Sequence, residues 1–177
     1  MTAAFTVGHS THPPADFAAL LARHGIRGIA DVRRYPGSRR VPHFGADDMR
    51  RWMAEAGVAY AHLPSLGGRR SRVPDSPNGG WRVAAFQGYA DWMATPDFAS
   101  GLRELEALCD ARRTAAMCAE APWWRCHRRL VADALVARGR PVLHVLPDGG
   151  LAEHVLPDFA VVAGGALTYP PPGTLPV

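Results

Sequence analysis

Apolar residues along this chain alternate between two spacings. A short continuous run, Ala4–Gly8, ends in Gly8-His9-Ser10; past Pro13 the apolar residues fall at Phe17, Leu20 and Leu21, with His24 on the same face and Gly25 as the stop. A short unbroken run suits a strand buried on both faces, whereas recurrence every three or four residues suits a helix with one apolar face. The unit repeats. Residues 28–32 form a second run ending in Asp31-Val32-Arg33, followed by a helical stripe of Met49, Trp52, Met53 and Ala56 stopped by Gly57. Residues 58–63 form a third run, and residues 64–80 are a loop rich in Gly, Pro, Ser and Arg. Phe86, Tyr89, Ala90 and Met93 mark one helix; Phe98, Leu102, Leu105 and Cys109 mark another, opened by Thr95 as N-cap. Runs at 114–118 and 142–146 then flank a stripe of Leu130, Val131, Ala134 and Leu135.

Strands alternating with helices predict an α/β fold. The order implies a three-layer α/β/α sandwich around a mostly parallel sheet of about five strands, because parallel neighbours need crossover connections and helices supply them. Residues 1–150 are read as a single α/β domain carrying all the motifs. Residues 151–177 are read as a C-terminal extension, with a short helix around 153–162 and a partly loose proline-rich end from Tyr169.

Composition narrows the class. Apolar residues are 47% and charged residues 20% of the 177, ordinary values for a globular chain and wrong for a disordered or fibrous one. The longest uncharged stretch, 159–177, is broken by Gly164, Gly165 and Pro170 to Pro172, so no membrane span is expected. The opening residues lack the charged and apolar segments of a signal peptide, and three cysteines cannot all pair, which together point to the cytoplasm. The net charge is +4, and all 20 basic residues are Arg. Lysine chemistry, whether Schiff base or P-loop, is therefore excluded. Ten of the 20 lie in three segments: Arg33, Arg34, Arg39 and Arg40; Arg69, Arg70 and Arg72; Arg125, Arg128 and Arg129. Brought together, such guanidinium groups would hold an anion; left apart, they are solvated surface.

In an open parallel sheet, ligands bind beyond the carboxyl ends of the strands. Reactive types collect there. Cys118 and Glu120 close the fourth strand and lead through Trp123 and Trp124 to Cys126, His127 and Arg128 at a helix start. A thiol at a helix N-terminus near Arg and His is favoured as thiolate, with burial of both cysteines as the competing reading. Cys109 and Tyr89 fall on apolar stripes and read as core. His9 is a candidate acid or base. Ser10, Asp31, Arg33, Ser38, Arg39, Gly67, Gly68 and Arg128 are candidate substrate contacts, Asp31 orienting Arg33 or His9. The spacing of Cys118 and Cys126 is unlike a zinc knuckle, and adjacent Cys126 and His127 are expected to point apart, so no metal site is assigned. A phosphatase cradle needs Arg six residues after the nucleophile, where Trp124 stands.

The set Thr6-Val7-Gly8-His9-Ser10, Asp31-Val32-Arg33 through Pro36 to Arg39, Leu66-Gly67-Gly68-Arg69, and Met117-Cys118-Ala119-Glu120 with Cys126-His127-Arg128 resembles the bacterial family catalogued as domain of unknown function 488. The resemblance runs from about Thr6 to about Leu146 and implies a soluble α/β protein whose motifs line one cleft; it transfers no activity. The residues themselves point to a thiol-dependent hydrolase or transferase acting on an anionic substrate, such as a phosphorylated metabolite, nucleotide or nucleic-acid end. In that reading Cys118 or Cys126 is the nucleophile, His9 or His127 moves protons, Glu120 orients, and Arg33, Arg39 and Arg128 bind the anion. A nucleic-acid-binding module and a metal- or redox-sensing regulator are the alternatives. The cofactor and the oligomeric state stay open.

Overall fold

The computed structural model describes residues 2–37 and 40–173. The chain alternates as expected: β1 (Ala4–Gly8), α1 (Pro14–Arg23), β2 (Gly28–Asp31), α2 (Ala46–Glu55), β3 (Ala59–His62), α3 (Ala84–Met93), α4 (Pro96–Ala111), β4 (Thr114–Cys118), α5 (Arg128–Ala137) and β5 (Val142–Val145). A sixth strand, β6 (Leu151–Glu153), pairs antiparallel with β5. The sheet order is β3-β2-β4-β1-β5-β6, with β1 to β5 mutually parallel. Among the described residues, no helix is long and apolar enough to cross a membrane.

Alternation along each strand divides the side chains between two cores. Phe5, Val7, Ile29, Ala115 and Met117 pack with Phe17 and Leu21 of α1 and Met49 and Met53 of α2. Ala4, Ala30, Ala116 and Cys118 face the other way, into Tyr89 of α3, Leu102 and Leu105 of α4 and Leu130 and Leu135 of α5. The result is the three-layer α/β/α sandwich, with α1 and α2 on one face and α3, α4 and α5 on the other.

The strand order places the site. From β1 the chain crosses toward β2 and β3; from β4, which lies between β2 and β1, it crosses the opposite way to β5. Adjacent β1 and β4 thus send their following loops in opposite directions, which opens a crevice at their carboxyl ends. The long loop after β3 is pinned to α3. The Asp91 carboxylate on α3 accepts from the Val73 backbone N–H (2.9 Å), the Asn78 amide (2.8 Å) and the Ser76 hydroxyl, while the Arg70 guanidinium lies 3.6 Å from the Trp92 ring centroid.

One expectation is corrected at the C-terminus. The helix expected around 153–162 is instead the end of β6, a turn, and the hairpin β7 (Val161–Ala163) and β8 (Ala166–Thr168). Pro157 cannot serve a helix interior, and Gly164 and Gly165, at φ 57° and 80°, form the two-residue turn that joins paired strands. The chain that leads to the proline-rich end is held at Tyr169. That ring is fully buried, its hydroxyl donates to Asp133 at 2.7 Å, and its backbone N–H and C=O bond Asn78 and Gly80.

Candidate functional site

The crevice is a cleft of about 600 Å³ whose lining includes His9, Ser10, Gly68, Tyr89, Cys118, Glu120, Cys126 and His127. Among the described residues, five arginines, Arg33, Arg34, Arg40, Arg69 and Arg125, share that lining with one carboxylate, Glu120. The three arginine-rich segments therefore converge on one hollow. Ser38 and Arg39 lie outside the described residues.

Cys118 ends β4 on the face toward α5, and a 3-10 turn at Trp123–Arg125 brings the chain back so that Cys126 and His127 precede α5. The His127 Nε2–H donates to the Val32 carbonyl at 2.9 Å. A carbonyl only accepts, so Nε2 carries a proton, and Nδ1 is turned toward sulfur, 3.7 Å from Cys126 Sγ and 4.0 Å from Cys118 Sγ. Cys126 and His127, expected to diverge, are thus aimed at a common point. The two sulfurs and Nδ1 all lie within 4.8 Å of one another and are the atoms here that could hold a metal.

The thiols are made unequal by their partners. Cys118 is held well below the usual thiol range, first because the Cys126 thiol donates to it, then by His127 and the Glu120 backbone N–H, all acting against burial. Cys126 is pushed well up, because its proton is engaged by Cys118 and because it is buried. One negative charge on the pair therefore resides on Cys118. Cys109, alone on α4, is raised to about 11 by burial and is a core residue.

His9 has another role than the proton transfer expected of it. Its Nε2 accepts from Arg33 at 3.1 Å, its Nδ1–H donates to the Ser10 carbonyl at 2.9 Å, and the ring stacks on Phe44 at 4.0 Å. Burial, then the Arg33 charge, lowers its pKa to about 4, so His9 is neutral with both nitrogens engaged. Arg33 in turn donates Nε–H and one NH2 hydrogen to Asp31 (2.8 and 2.6 Å) and another NH2 hydrogen to the Phe44 carbonyl (2.8 Å). Four of its five N–H groups are thereby bound to the protein, and one remains to face the cleft. Asp31 is fully buried and orients Arg33, one of the two roles expected of it.

Arg128 is moved out of the substrate-binding set. It is buried, donating to the Val7 carbonyl (2.9 Å) and the Ala121 carbonyl (2.8 Å), and so ties β1 to the loop after Cys118. Gly8 makes room for this: a Cβ there would stand 2.7 Å from the Arg128 guanidinium and collide with the Glu120 carbonyl. Gly67 packs on Arg34, and Gly68 on His127, where a Cβ would fall 2.7 Å from Nδ1. Ser10, at φ 46°, and the exposed Glu120 stand at the rim.

Sequence reasoning missed a buried polar chain next to this centre. Asp133 accepts from the Tyr169 hydroxyl (2.7 Å) and from His154 Nε2–H (2.6 Å), His154 Nδ1 accepts from His144 Nε2–H (2.9 Å), and His144 Nδ1 accepts from the Thr6 hydroxyl (2.6 Å). Trp123 stacks on His144 at 4.0 Å and 6°, so it packs rather than offering a free ring. The one available signal was Asp133 within an otherwise apolar helical stripe.

Fold and cleft together define a doubly wound parallel α/β protein with a thiol–imidazole centre at its topological switch point. The chain belongs to the family described as domain of unknown function DUF488, which matches residues 14–135, more than half of it. That span contains the Cys118, Cys126 and His127 motif and begins after Gly8-His9-Ser10. Neither curated proteins nor solved structures give a match.

Proposed function

We propose that this protein is a thiol-dependent enzyme of the hydrolase or transferase type that acts on an anionic substrate in the arginine-lined cleft. One observation carries the reading: His127 Nδ1, its ring held by the Val32 carbonyl, faces the Cys118 sulfur in a cleft lined, among the described residues, by five arginines. Such a pairing of base and thiol, the base itself oriented by a third group, is the arrangement that activates a sulfur nucleophile. Arg33, Arg34 and Arg69 would bind a phosphate or carboxylate and hold the adjacent electrophilic atom over Cys118.

In the first step the Cys118 thiolate bonds to the phosphoryl or acyl group, and the leaving group departs with a proton from His127. In the second, water or an acceptor hydroxyl gives its proton to His127, attacks the covalent intermediate and releases Cys118 as the thiolate leaving group. Tyr35, exposed in the cleft wall, offers a flat ring on which a nucleotide base would stack.

The test is alkylation by iodoacetamide, read by peptide mass spectrometry in the protein and in Cys118→Ser and Cys126→Ser. Faster labelling of Cys118 than of Cys126, lost on denaturation, is the result expected; slow labelling of both sulfurs ends the nucleophile reading. Oligonucleotide binding in a salt titration tests the binding-module alternative, since backbone clamping must weaken steeply as salt rises.

A further inference from the structure

We infer that Cys118, Cys126 and His127 form a zinc site, and that zinc bound there masks the Cys118 sulfur. The metal site stands on geometry alone; the masking rests on the reading of Cys118 as nucleophile. Zinc–sulfur bonds of about 2.3 Å and zinc–nitrogen bonds of about 2.0 Å at a tetrahedral angle place sulfur and nitrogen about 3.6 Å apart. His127 Nδ1 lies 3.7 Å from Cys126 Sγ and 4.0 Å from Cys118 Sγ, and the three donor atoms fit within 4.8 Å of one another. The two sulfur–nitrogen edges are therefore close to those of a zinc tetrahedron.

Three further features point the same way. The His127 ring is held by an Nε2–H bond to the Val32 carbonyl, the outer contact that orients a metal-bound imidazole and leaves its other nitrogen for the ion. Both sulfurs are buried, and two thiolates with one neutral imidazole balance a divalent charge, so a bound ion would leave no net charge in that buried place. All three residues line the cleft, from which water or an anionic ligand can reach a bound ion. Sulfur–nitrogen donor sets of this kind select zinc over magnesium or calcium. On binding, the protons held between the sulfurs and the imidazole Nδ1 go to solvent and each sulfur gives a lone pair to the ion, so Cys118 no longer has a free pair with which to attack.

The experiment uses the full chain, stripped of metal with a chelator and kept reduced. Cobalt(II) is titrated first, as a spectroscopic probe, and its thiolate-to-metal charge-transfer band is recorded; zinc is then added to displace it. Expected are a one-to-one endpoint, a band intensity matching two thiolates, and loss of the band on adding zinc. Gly68→Ala, whose new methyl would press on His127 Nδ1, weakens cobalt binding by about tenfold or more. Alkylation of Cys118 in the metal-free protein falls by at least about tenfold when one equivalent of zinc is present, as expected for a sulfur whose pair is coordinated. Absence of the charge-transfer band overturns the site, and this needs no variant that might fail to fold. A band without protection of Cys118 overturns the masking. Slow alkylation in the metal-free protein, by contrast, would end the nucleophile reading and leave the zinc site standing.

Discussion

The Val32 carbonyl accepts the Nε2–H of His127 at 2.9 Å, and by that single contact a backbone oxygen of the loop after β2 decides which nitrogen the cysteines see. His127→Gln keeps a polar side chain but removes the Nδ1 that faces the sulfurs. A positioned general base is worth about 10²- to 10⁴-fold in rate, so turnover of a thiol-dependent substrate is expected to fall within that range. Steady-state kinetics on the variant, with circular dichroism to confirm folding, checks this; unchanged kcat would remove His127 from the mechanism.

Gly68→Ala introduces a methyl whose Cβ lies 2.7 Å from His127 Nδ1, and the ring must move away from the sulfurs. Gly37, also in the cleft wall, has nothing within 4 Å of its added Cβ among the described residues, so Gly37→Ala is the control. Cys118 alkylation is expected to change several-fold in the first variant and little in the second. Equal rates in both would mean that the Gly68 contact does not set the His127 geometry.

Asp31→Asn leaves the Arg33 guanidinium buried without its carboxylate and also weakens the acceptor of the Tyr60 hydroxyl. Breaking a buried pair in this way typically costs about 3–5 kcal/mol. Urea unfolding at neutral pH measures the loss; a shift below about 1 kcal/mol, the range of an exposed pair, would show that solvent reaches this ion pair.

Tyr169→Phe removes the hydroxyl that donates to Asp133 at 2.7 Å, inside the buried chain that also holds His154 and His144. A buried acceptor left short of its donor costs about 1–3 kcal/mol. Limited proteolysis should then cut the segment around β7 and β8 faster than in the parent protein, because Tyr169 anchors it. Equal cleavage rates would argue that Asn78 and Gly80 suffice as anchors.

Stability should decline under mild acid. His9 falls from 6.5 to about 4 and His144 from 6.5 to about 3, in each case chiefly through burial. A lowered native value means that the unfolded chain takes the proton first, so the stabilisation is complete above pH 6.5 and is lost as pH falls toward 4. Each group contributes a slope of about 1.4 kcal/mol per pH unit within that window. Unfolding midpoints at pH 7.5 and 5 test this, and His144→Asn should flatten part of the slope; identical midpoints would mean that both imidazoles stay hydrated.

The layers of the fold were legible because periodicity follows burial. Phe98, Leu102, Leu105 and Cys109 mark α4 since that face meets the sheet, and the unbroken run Thr114–Cys118 marks a strand covered on both sides. The C-terminus was not legible. Residues 153–162 lack a sustained period, and their state depends on β5 offering an edge and on Asn78 and Asp133 receiving Tyr169, partners far away in sequence.

The same division runs through the site. Sequence alone determined which chemical groups are present and that they follow strand ends, because the residue types and the strand periods are local properties. Tertiary structure decided what each group does. Arg128 and His9 carry the right chemistry for substrate contact and proton transfer, yet Arg128 is spent on the Val7 and Ala121 carbonyls and His9 on Arg33 and Ser10. Conversely, Cys126 and His127 looked divergent as neighbours, until a 3-10 turn and the Val32 carbonyl aimed both at Cys118. Hydrogen-bond partners and distances of approach are set by the folded backbone, and a linear pattern does not contain them.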